Sequence, residues 1–256
     1  MEAGKGVLYL RGVEKRPVED GAEDYAFRIP AIARLKRLEF RRPVTFFVGE
    51  NGSGKSTLLE AIAVAWGFNP EGGSRNFRFA SRDTHSGLYR ALRLVRSPEI
   101  PEDGYFLRAE SLYNMASYVD EMEDDPLTPS YLQYVGGKSL HGQSHGESLL
   151  ALAKNRFWGR GLYLLDEPES ALSPMRQLSF LTLMHDLVSR GGQLLIATHS
   201  PILMSYPQAD ILRFDGPDGV ERVDYRDTEH YRITREFLSA PERMLSVLLA
   251  PEEEEP

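Results

Sequence analysis

The sequence predicts an α/β fold in which helices flank a mostly parallel central sheet. Three observations support this prediction. Apolar runs of strand length alternate with stretches of helical periodicity along most of the chain. One such run, Val44–Val48, leads into a glycine-rich loop and then into apolar residues at helical spacing. Another, Leu162–Leu165, ends in two adjacent acidic residues, at the strand end where α/β proteins place their ligands.

The first half of the chain supplies the early elements. Val7–Arg11 and Tyr25–Leu35 have the composition of strands, and Val44–Val48 has that of a buried central strand. Apolar residues then recur at helical spacing over 58–66, and "GYFLRAES" (104–111) is a further predicted strand. We expect an inserted lobe over about residues 70–145 of a single domain that covers residues 1–250.

The second half continues the alternation. Leu162–Leu165 is predicted to be a buried strand. Ser173 and Pro174 are residue types typical of the N-cap and the first position of a helix, and they predict the start of the next helix. After the Gly191–Gly192 break, "QLLIATHS" (193–200) predicts a third buried strand. From Asp210 onwards we predict a strand, a turn, another strand and a terminal helix, followed by an acidic, disordered tail at 251–256.

Composition restricts the class of protein. The chain has 256 residues, of which 41% are hydrophobic, enough for one domain or one domain with a lobe. It has no cysteine, which excludes disulfides and thiolate metal sites and makes the cytoplasm the expected compartment. No apolar run approaches the roughly 20 residues of a membrane span. The net charge of −8 excludes a uniformly basic nucleic-acid binder but not a local basic patch.

The loop that follows Val44–Val48 carries the Walker A pattern G-x-x-x-x-G-K-S. Its glycines let backbone N–H groups curl around phosphate oxygens, and the helix N-terminus adds partial positive charge. Lys55 is expected to reach the β- and γ-phosphates, and the Ser56 hydroxyl to ligate Mg²⁺. We therefore predict that ATP is bound by Gly49, Glu50, Asn51, Gly52, Ser53, Gly54, Lys55, Ser56 and Thr57.

Two further strand ends predict the catalytic groups. Asp166 is expected to hold Mg²⁺, and Glu167 to orient or deprotonate the attacking water. His199 ends the third buried strand near the same edge of the sheet. A lone histidine is more often a structural hydrogen-bonding group, but this position favours a contact with the γ-phosphate.

The segment "HGQSHGESLL" (141–150) allows three interpretations. Gly142–Gly146 fits the G-x-S-x-G elbow of a nucleophilic serine, and His141 and His145 have the spacing of a metal-binding pair. The elbow, however, lacks an upstream oxyanion loop, and it leaves unexplained both the Walker A loop and the Walker B motif, the strand that ends in Asp166 and Glu167. A zinc site formed by the two histidines lacks a convincing third ligand, and the histidines lie in a glycine-rich segment of the chain. The third interpretation comes from a resemblance.

In chain order, the Walker A loop, "SHGES" (144–148), "LLDEPES" (164–170) and "THS" (198–200) resemble the motifs of an ATP-binding cassette (ABC-type) ATPase. Ser144, Gly146 and Glu147 match the serine, second glycine and final polar residue of its LSGGQ signature, and His145 replaces the first glycine. The resemblance implies a P-loop NTPase fold with an added antiparallel β region and a small helical lobe. It also implies an ATP-dependent homodimer in which Ser144 contacts the nucleotide of the opposite subunit.

Within that family, "GENGSGKSTLLEAIA" and "ATHSPILM" resemble the small bacterial AAA-family ATPases related to the chromosome-maintenance and DNA-repair ATPases. Two motifs depart from the pattern. Ser173 stands where the D-loop has aspartate, and no Q-loop glutamine is present, so that Glu110 or Arg108 is the nearest polar substitute. Glu110 is accordingly our candidate third metal ligand. Tyr25 and Phe27 are candidates for stacking on adenine.

A cluster of arginines lies between residues 75 and 96, at Arg75, Arg78, Arg82, Arg90, Arg93 and Arg96. If "GLYRALRLVR" (87–96) is a helix, its three arginines share one face, which could contact nucleic-acid phosphates. We favour the alternative, in which they pair with the acidic stretch Glu99–Asp125 or face solvent.

The predicted function is hydrolysis of ATP with Mg²⁺ in a nucleotide-sandwich homodimer that acts on an unidentified protein or nucleic acid. One alternative is the ATP-binding subunit of a transporter, whose membrane partner would dock near the segment after Glu110. A second alternative is a slow ATP-gated effector, in which hydrolysis only resets a switch.

Overall fold

The computed structural model describes residues 7–17, 24–73, 86–109 and 145–250. Its strands are β1 Leu10–Lys15, β2 Arg37–Glu39, β3 Val44–Val48, β4 Leu92–Arg96, β5 Asp103–Arg108, β6 Gly161–Asp166, β7 Gln193–Ala197, β8 Asp210–Gly216 and β9 Gly219–Arg222. Its helices are α1 Pro30–Arg34, α2 Lys55–Trp66, α3 Leu88–Ala91, α4 His145–Arg156, α5 Pro174–Ser189, α6 Pro201–Met204, α7 Glu229–Ser239 and α8 Pro241–Leu248. Short 3₁₀ turns cover Tyr25–Arg28, Pro168–Ala171 and Tyr225–Asp227.

Within the described residues, the central sheet has the strand order β5-β6-β7-β3-β8-β9. Its first five strands are parallel to their neighbours, and β9 pairs antiparallel with β8. Parallel strands need crossover connections, and these bring the carboxyl ends of all five strands to one edge. The predicted α/β architecture with a mostly parallel sheet is confirmed.

Strand β3 shows why the sheet is covered on both faces. All five of its residues are buried. Phe46 packs in one core cluster with apolar residues of α4 and α5, and Phe47 packs in a second cluster with residues of α2. Since successive side chains of a strand point to opposite faces, a strand buried on both sides requires the continuous apolar run seen in the sequence.

A smaller antiparallel sheet, with the strand order β2-β1-β4, lies on the α2 side of the central sheet. Gln193, the first residue of β7, joins the two sheets. Its Oε1 accepts a hydrogen bond from the Leu10 N–H at 2.9 Å, and its Nε2 donates to the Leu10 carbonyl at 2.7 Å. All three groups are buried, so the Gln193 amide satisfies a backbone donor and a backbone acceptor that water does not reach.

Gln193→Met should therefore lower the free energy of unfolding by about 2–4 kcal/mol. The substitution keeps the side-chain length but leaves the Leu10 N–H and carbonyl unsatisfied, and each buried unsatisfied group costs about 1–3 kcal/mol. Denaturant unfolding followed by circular dichroism measures the change. Lys36→Met, at an exposed position, serves as the control and should stay within about 0.5 kcal/mol of the wild type.

The prediction of a strand over Tyr25–Leu35 is wrong. This segment forms the 3₁₀ turn Tyr25–Arg28 and then helix α1. The Asp24 carboxylate accepts a hydrogen bond from the Ala26 N–H at 3.0 Å, which caps the turn. Pro30 occupies the first position of α1, where its fixed φ and missing N–H fit a helix start. These local capping groups outweigh the strand-like composition.

The condition under which the arginines of residues 87–96 would share a helix face is not met, because the helix extends only to Ala91. Helix α3 ends there, and the chain continues as β4, which pairs antiparallel with β1. Arg93 forms an ion pair with Glu14 of β1, and the Arg96 guanidinium lies 4.4 Å from the centre of the Trp66 ring. The three arginines therefore do not share a helix face. Of the rest of the cluster, Arg75, Arg78 and Arg82 lie outside the described residues.

The second half of the chain follows its predicted order. Helix α5 begins at Pro174 with Ser173 at its N-cap, as expected. After the hairpin β8–β9, the predicted terminal helix is divided into α7 and α8. In the described parts of the chain, no helix is long and apolar enough to span a membrane. The domain boundary at residue 250 and the lobe at 70–145 stay predictions, since the tail and much of the lobe lie outside the described residues.

Candidate active site

The carboxyl edge of the central sheet gathers polar groups from five neighbouring strands. The sequence places these groups far apart, and the parallel crossovers bring the strand ends together. In spatial order they are Arg108 of β5, Asp166 of β6, His199 after β7, Lys55 after β3 and Asp215 of β8.

The Walker A loop connects β3 to α2 through left-handed backbone at Gly49, Gly52 and Gly54. A Cβ on Gly54 would lie 2.9 Å from Cγ2 of Ile29, so the loop has no room for a side chain there. Gly54 is also the N-cap of α2 and has no side chain to cap the helix. The first N–H groups of α2 thus lack a side-chain cap, which is the arrangement that binds phosphate at a helix N-terminus.

The other residues of the loop differ in the contacts that they make within the protein. The Glu50 N–H donates to Oδ2 of Asp215 at 2.9 Å, which fixes the beginning of the loop to β8. The Ser53 hydroxyl oxygen is buried and has no hydrogen-bond partner among the described residues. Such an orphaned polar atom fits a ligand that brings its own hydrogen-bonding groups. Asn51 is exposed, and Thr57 lies half-buried in the first turn of α2.

Lys55 lies beneath the loop and is almost completely buried. Its Nζ donates to the carbonyl oxygens of Gly49 at 2.7 Å and Glu50 at 2.9 Å. Burial lowers the pKa of Lys55, and the carboxylates of Glu167 and Asp215, among others, oppose that shift. The ammonium group is thus held inside the loop by neutral carbonyls, which anionic phosphate oxygens could replace as stronger partners.

Two oxygen atoms suited to a magnesium ion lie together at this edge. The Ser56 hydroxyl donates to Oδ1 of Asp166 at 2.7 Å, so the two Walker motifs are in direct contact. Mg²⁺ prefers oxygen ligands and is usually held by one or two protein groups together with phosphates and waters. The donor set therefore fits Mg²⁺. The third candidate ligand, Glu110, lies outside the described residues.

Arg108 occupies the end of β5, beside Asp166. Its Nε lies 3.8 Å from Oδ2 of Asp166, and its Nη1 lies 2.7 Å from Oε2 of Glu60 on α2. A cationic side chain, that of Arg108, therefore lies near the position where the family pattern has the Q-loop glutamine. Arg108 therefore lies close to Asp166, and its role as a Q-loop substitute stays a prediction.

Glu167 and His199 face each other across the ends of β6 and β7. Glu167 has a left-handed backbone, with φ of 49°, and its side chain is 42% exposed. Nε2 of His199 lies 3.6 Å from Oε1 of Glu167, beyond hydrogen-bond distance. That nitrogen is buried and has no hydrogen-bond partner among the described residues. A solvent-accessible carboxylate thus lies beside an unsatisfied imidazole nitrogen, where an incoming group could contact both.

The backbone of His199 is fixed by Glu169. The His199 N–H donates to Oε1 of Glu169 at 2.5 Å, which ties the segment after β7 to the 3₁₀ turn after β6. Burial raises the pKa of the Glu169 carboxyl, and the hydrogen bond from the His199 N–H partly offsets that rise. Together with the hydrogen bond from the Glu167 N–H to the Ala197 carbonyl at 2.9 Å, this bond holds together the two strand ends that carry Glu167 and His199.

A second histidine, which was not predicted from the sequence, lies beside His199. His230, from helix α7, places its Nε2 2.9 Å from Nδ1 of His199. Burial, with the Lys55 ammonium nearby, lowers the pKa of both histidines. Asp215 and Glu169 were missed as well. Asp215 is an acid near a predicted strand end, a signal that could have been used, whereas nothing in the sequence around His230 indicates its contact.

The signature residues lie partly outside the described structure. Ser144 and His141 are not described, so the alternatives of a serine nucleophile and a zinc pair are not tested. Among the described residues, no group of three or more His, Cys, Asp or Glu side chains could hold a metal ion. Gly146 packs so closely that an added Cβ would lie 2.5 Å from the Ala171 carbonyl oxygen, and Glu147 pairs with Arg176 at 2.9 Å.

Two protein-family models match the chain. One, described as an AAA domain, matches residues 28–93, and the other, described as "AAA domain, putative AbiEii toxin, Type IV TA system", matches residues 148–205. The first range includes the Walker A loop. The second includes Asp166, Glu167 and His199, so the two matches contain the two halves of the candidate site.

Several proteins named for ATP binding and transport are similar in sequence. The cytochrome c biogenesis ATP-binding export protein CcmA of Rhizobium etli is 30% identical over 182 residues, covering 68% of this chain and 82% of that protein. CcmA of Rhodopseudomonas palustris is 28% identical over 215 residues, covering 78% and 92%. The hemin import ATP-binding protein HmuV of Pseudomonas aeruginosa is 30% identical over 167 residues, covering 59% and 64%.

Two solved structures are similar to this chain at low sequence identity. The ADP conformation of an ATP-binding cassette of an ABC transporter has a TM-score of 0.49 and 16% identity, and covers 95% of this chain and 100% of that one. An SMC head domain from Thermotoga maritima has a TM-score of 0.43 and 17% identity, and covers 84% and 98%.

Proposed function

The chain belongs to the ABC-type (ATP-binding cassette) ATPases, and we propose that two copies of it bind ATP and Mg²⁺ between them and hydrolyse the ATP there. That it is an ATP-binding P-loop ATPase follows from its relatives. The observation that carries the proposed site is the 2.7 Å hydrogen bond between Ser56 and Asp166, which joins the Walker A loop to the Walker B strand.

The phosphates are held by the Walker A loop. Backbone N–H groups at the start of α2 and the orphaned Ser53 hydroxyl supply neutral donors. The Lys55 ammonium exchanges its loop carbonyls for β- and γ-phosphate oxygens, to which it donates stronger, charge-assisted hydrogen bonds. Tyr25, which is 58% exposed, and the half-buried Phe27 stay the candidates for stacking on adenine.

Ser56 and Asp166 are the described residues that would hold Mg²⁺, and Glu110 is a candidate third ligand. When bound by these residues, the ion would supply positive charge that stabilises the negative charge developed during phosphoryl transfer. Arg108, within 3.8 Å of Asp166, adds a fixed cation on the other side of that carboxylate.

Hydrolysis then depends on Glu167 and His199. The exposed Glu167 carboxylate accepts a hydrogen bond or a proton from the attacking water, which directs the water oxygen at the γ-phosphorus. The unsatisfied Nε2 of His199 lies on the same side and donates a hydrogen bond to the γ-phosphate. Both groups come from rigid strand ends, so their separation is set before the nucleotide arrives.

The second copy supplies the signature. By its resemblance to the family motif, Ser144, with Gly146 and Glu147, contacts the ATP held by the Walker A loop of the opposite subunit. Gly146 and Glu147 are braced within their own chain by Ala171 and Arg176. This bracing supports the proposal because a signature presented to a partner needs a rigid base.

Ser144→Ala should leave ATP binding by an isolated subunit nearly unchanged but strongly reduce turnover, because the lost contact exists only in the closed dimer. Equilibrium dialysis measures binding, and phosphate release measures turnover. A fluorophosphonate probe supplies the control for the alternative chemistry. Covalent labelling of the wild type but not of the variant would make Ser144 an esterase nucleophile and refute the proposed dimer contact.

The partner of the dimer is a separate question. The names of CcmA and HmuV, an export and an import ATP-binding protein, support the second candidate function, that of a transporter's ATP-binding subunit. The nucleic-acid alternative loses part of its basis, since Arg93 is paired with Glu14 and Arg96 lies over Trp66. A protein partner and the slow ATP-gated effector stay predictions. Retention of the protein in a membrane fraction from its source cells would favour the transporter.

A further inference from the structure

The contact between His199 and His230 restricts where the imidazole hydrogens lie. Nδ1 of His199 and Nε2 of His230 are 2.9 Å apart, and the two rings meet edge to face at 60°. A hydrogen bond at this distance requires one nitrogen to carry the hydrogen and the other to offer a lone pair. The tautomer of one ring therefore determines the tautomer of the other.

The other side of His199 decides which nitrogen donates. Its Nε2 faces Oε1 of Glu167 at 3.6 Å, and a lone pair in that position would be repelled by the carboxylate. Hydrogen on Nε2 is favoured by Glu167, which leaves Nδ1 as the acceptor in the neutral ring. Nε2 of His230 is then the donor. Burial lowers the pKa of both histidines, which favours two neutral rings with one hydrogen between them.

Helix α7 is attached where this contact forms. Thr228, its buried N-cap residue, accepts a hydrogen bond from the Tyr231 N–H at 3.4 Å. The Tyr225 hydroxyl donates a hydrogen bond to the carbonyl of Pro201 at 2.9 Å. Pro201 follows His199 by two residues. These contacts fix the start of α7 against the segment that carries His199. The backbones that carry the two histidine rings are therefore held next to each other.

We propose that His230 is a positioning residue for ATP hydrolysis: its Nε2–H donates to Nδ1 of His199 and holds that ring with its own Nε2–H directed at Glu167 and the γ-phosphate. The inference rests on the proposed function, because it takes His199 to contact the γ-phosphate. It assigns a role in the reaction to helix α7, which lies outside the motifs of the sequence.

Nuclear magnetic resonance of the nucleotide-free protein, labelled with ¹⁵N in its histidine rings, tests the hydrogen bond without relying on activity. The expected result is a hydrogen on Nε2 of His230, with a ¹⁵N–¹⁵N coupling through that hydrogen to an unprotonated Nδ1 of His199. His199→Gln and His230→Gln assign the signals. A hydrogen found on Nδ1 of His199, or the absence of coupling between the two rings, would overturn the proposal.

Turnover tests the positioning role. His230→Leu should reduce kcat by about 10–100-fold with KM for ATP nearly unchanged, as is usual when a group that orients a functional histidine is lost. His230→Gln, which can still donate from its amide, should restore most of the turnover. His185→Leu is the matched control, because His185 is exposed and bonds only to Tyr206 among its described contacts. Wild-type kcat in His230→Leu would refute the proposal.

The same measurements separate this inference from the proposed function. His199→Ala should lose turnover if His199 contacts the γ-phosphate. Wild-type turnover in His199→Ala would refute that contact, and with it the effect of His230 on kcat, even if the coupling between the rings is observed. Loss of turnover in His199→Ala together with full turnover in His230→Leu would refute the positioning role and leave the proposed function standing.

Discussion

Glu167→Gln should slow ATP hydrolysis by about 10²–10⁴-fold, the usual contribution of a general base. ATP and Mg²⁺ should remain bound, since their proposed ligands are Lys55, Ser56 and Asp166. Because the nucleotide is no longer consumed, the closed dimer should accumulate. Phosphate release measures the rate, and size-exclusion chromatography with ATP and Mg²⁺ measures the dimer.

The matched control is Glu99→Gln, which removes an exposed carboxylate away from the sheet edge. It should turn over ATP at the wild-type rate and show no trapped dimer. If Glu167→Gln behaves like this control and stays monomeric with ATP and Mg²⁺, both the catalytic role of Glu167 and the proposed dimer are wrong.

The same variant can identify the partner, because the trapped state should hold what the working protein binds only transiently. If the partner is a nucleic acid, DNA or RNA should co-purify, and its affinity should fall steeply as salt rises. If the partner is a membrane protein, the trapped form should appear in detergent extracts instead.

Lys55→Ala should weaken ATP binding by at least about 10–100-fold, since one hydrogen bond to a charged group contributes about 1.5–3 kcal/mol. The structure adds a second effect, because Lys55 also donates hydrogen bonds to the Gly49 and Glu50 carbonyls of the loop. Equilibrium dialysis with ATP measures the affinity, and thermal unfolding checks the fold. Lys154→Ala, at an exposed position on α4, is the control. Undiminished ATP affinity in Lys55→Ala would refute the assignment of the phosphate loop.

The central part of the fold and the core of the site could be predicted because their signals are local. A buried strand followed by a glycine loop and a helix places Lys55 and Ser56, and a buried strand ending in acids places Asp166 and Glu167. His199 follows from the same rule. The strand ends of a parallel sheet share one edge, so even the proximity of these residues could be predicted without coordinates.

The sequence was misleading or silent where tertiary contacts or capping groups determine the local structure. At Tyr25–Leu35 the Asp24 cap and Pro30 favour helical turns over a strand. The strand that contains Arg93 and Arg96 likewise depends on a tertiary contact, the pairing of β4 with β1. His230 could not be found because its proposed role depends on a contact across 31 residues of sequence, made by a helix in which no residue is fully buried.

The close packing at Gly146 has a mechanical consequence. Helix α4 begins one residue after Ser144, and Gly146 touches the 3₁₀ turn Pro168–Ala171, whose preceding residue is Glu167. Close-packed interiors resist compression and transmit displacement. In the proposed dimer, we therefore expect a force on the signature end of α4 to be transmitted to this turn. Docking of the second subunit would then stabilise the backbone next to Glu167, and the active site would become fully ordered only in the closed dimer.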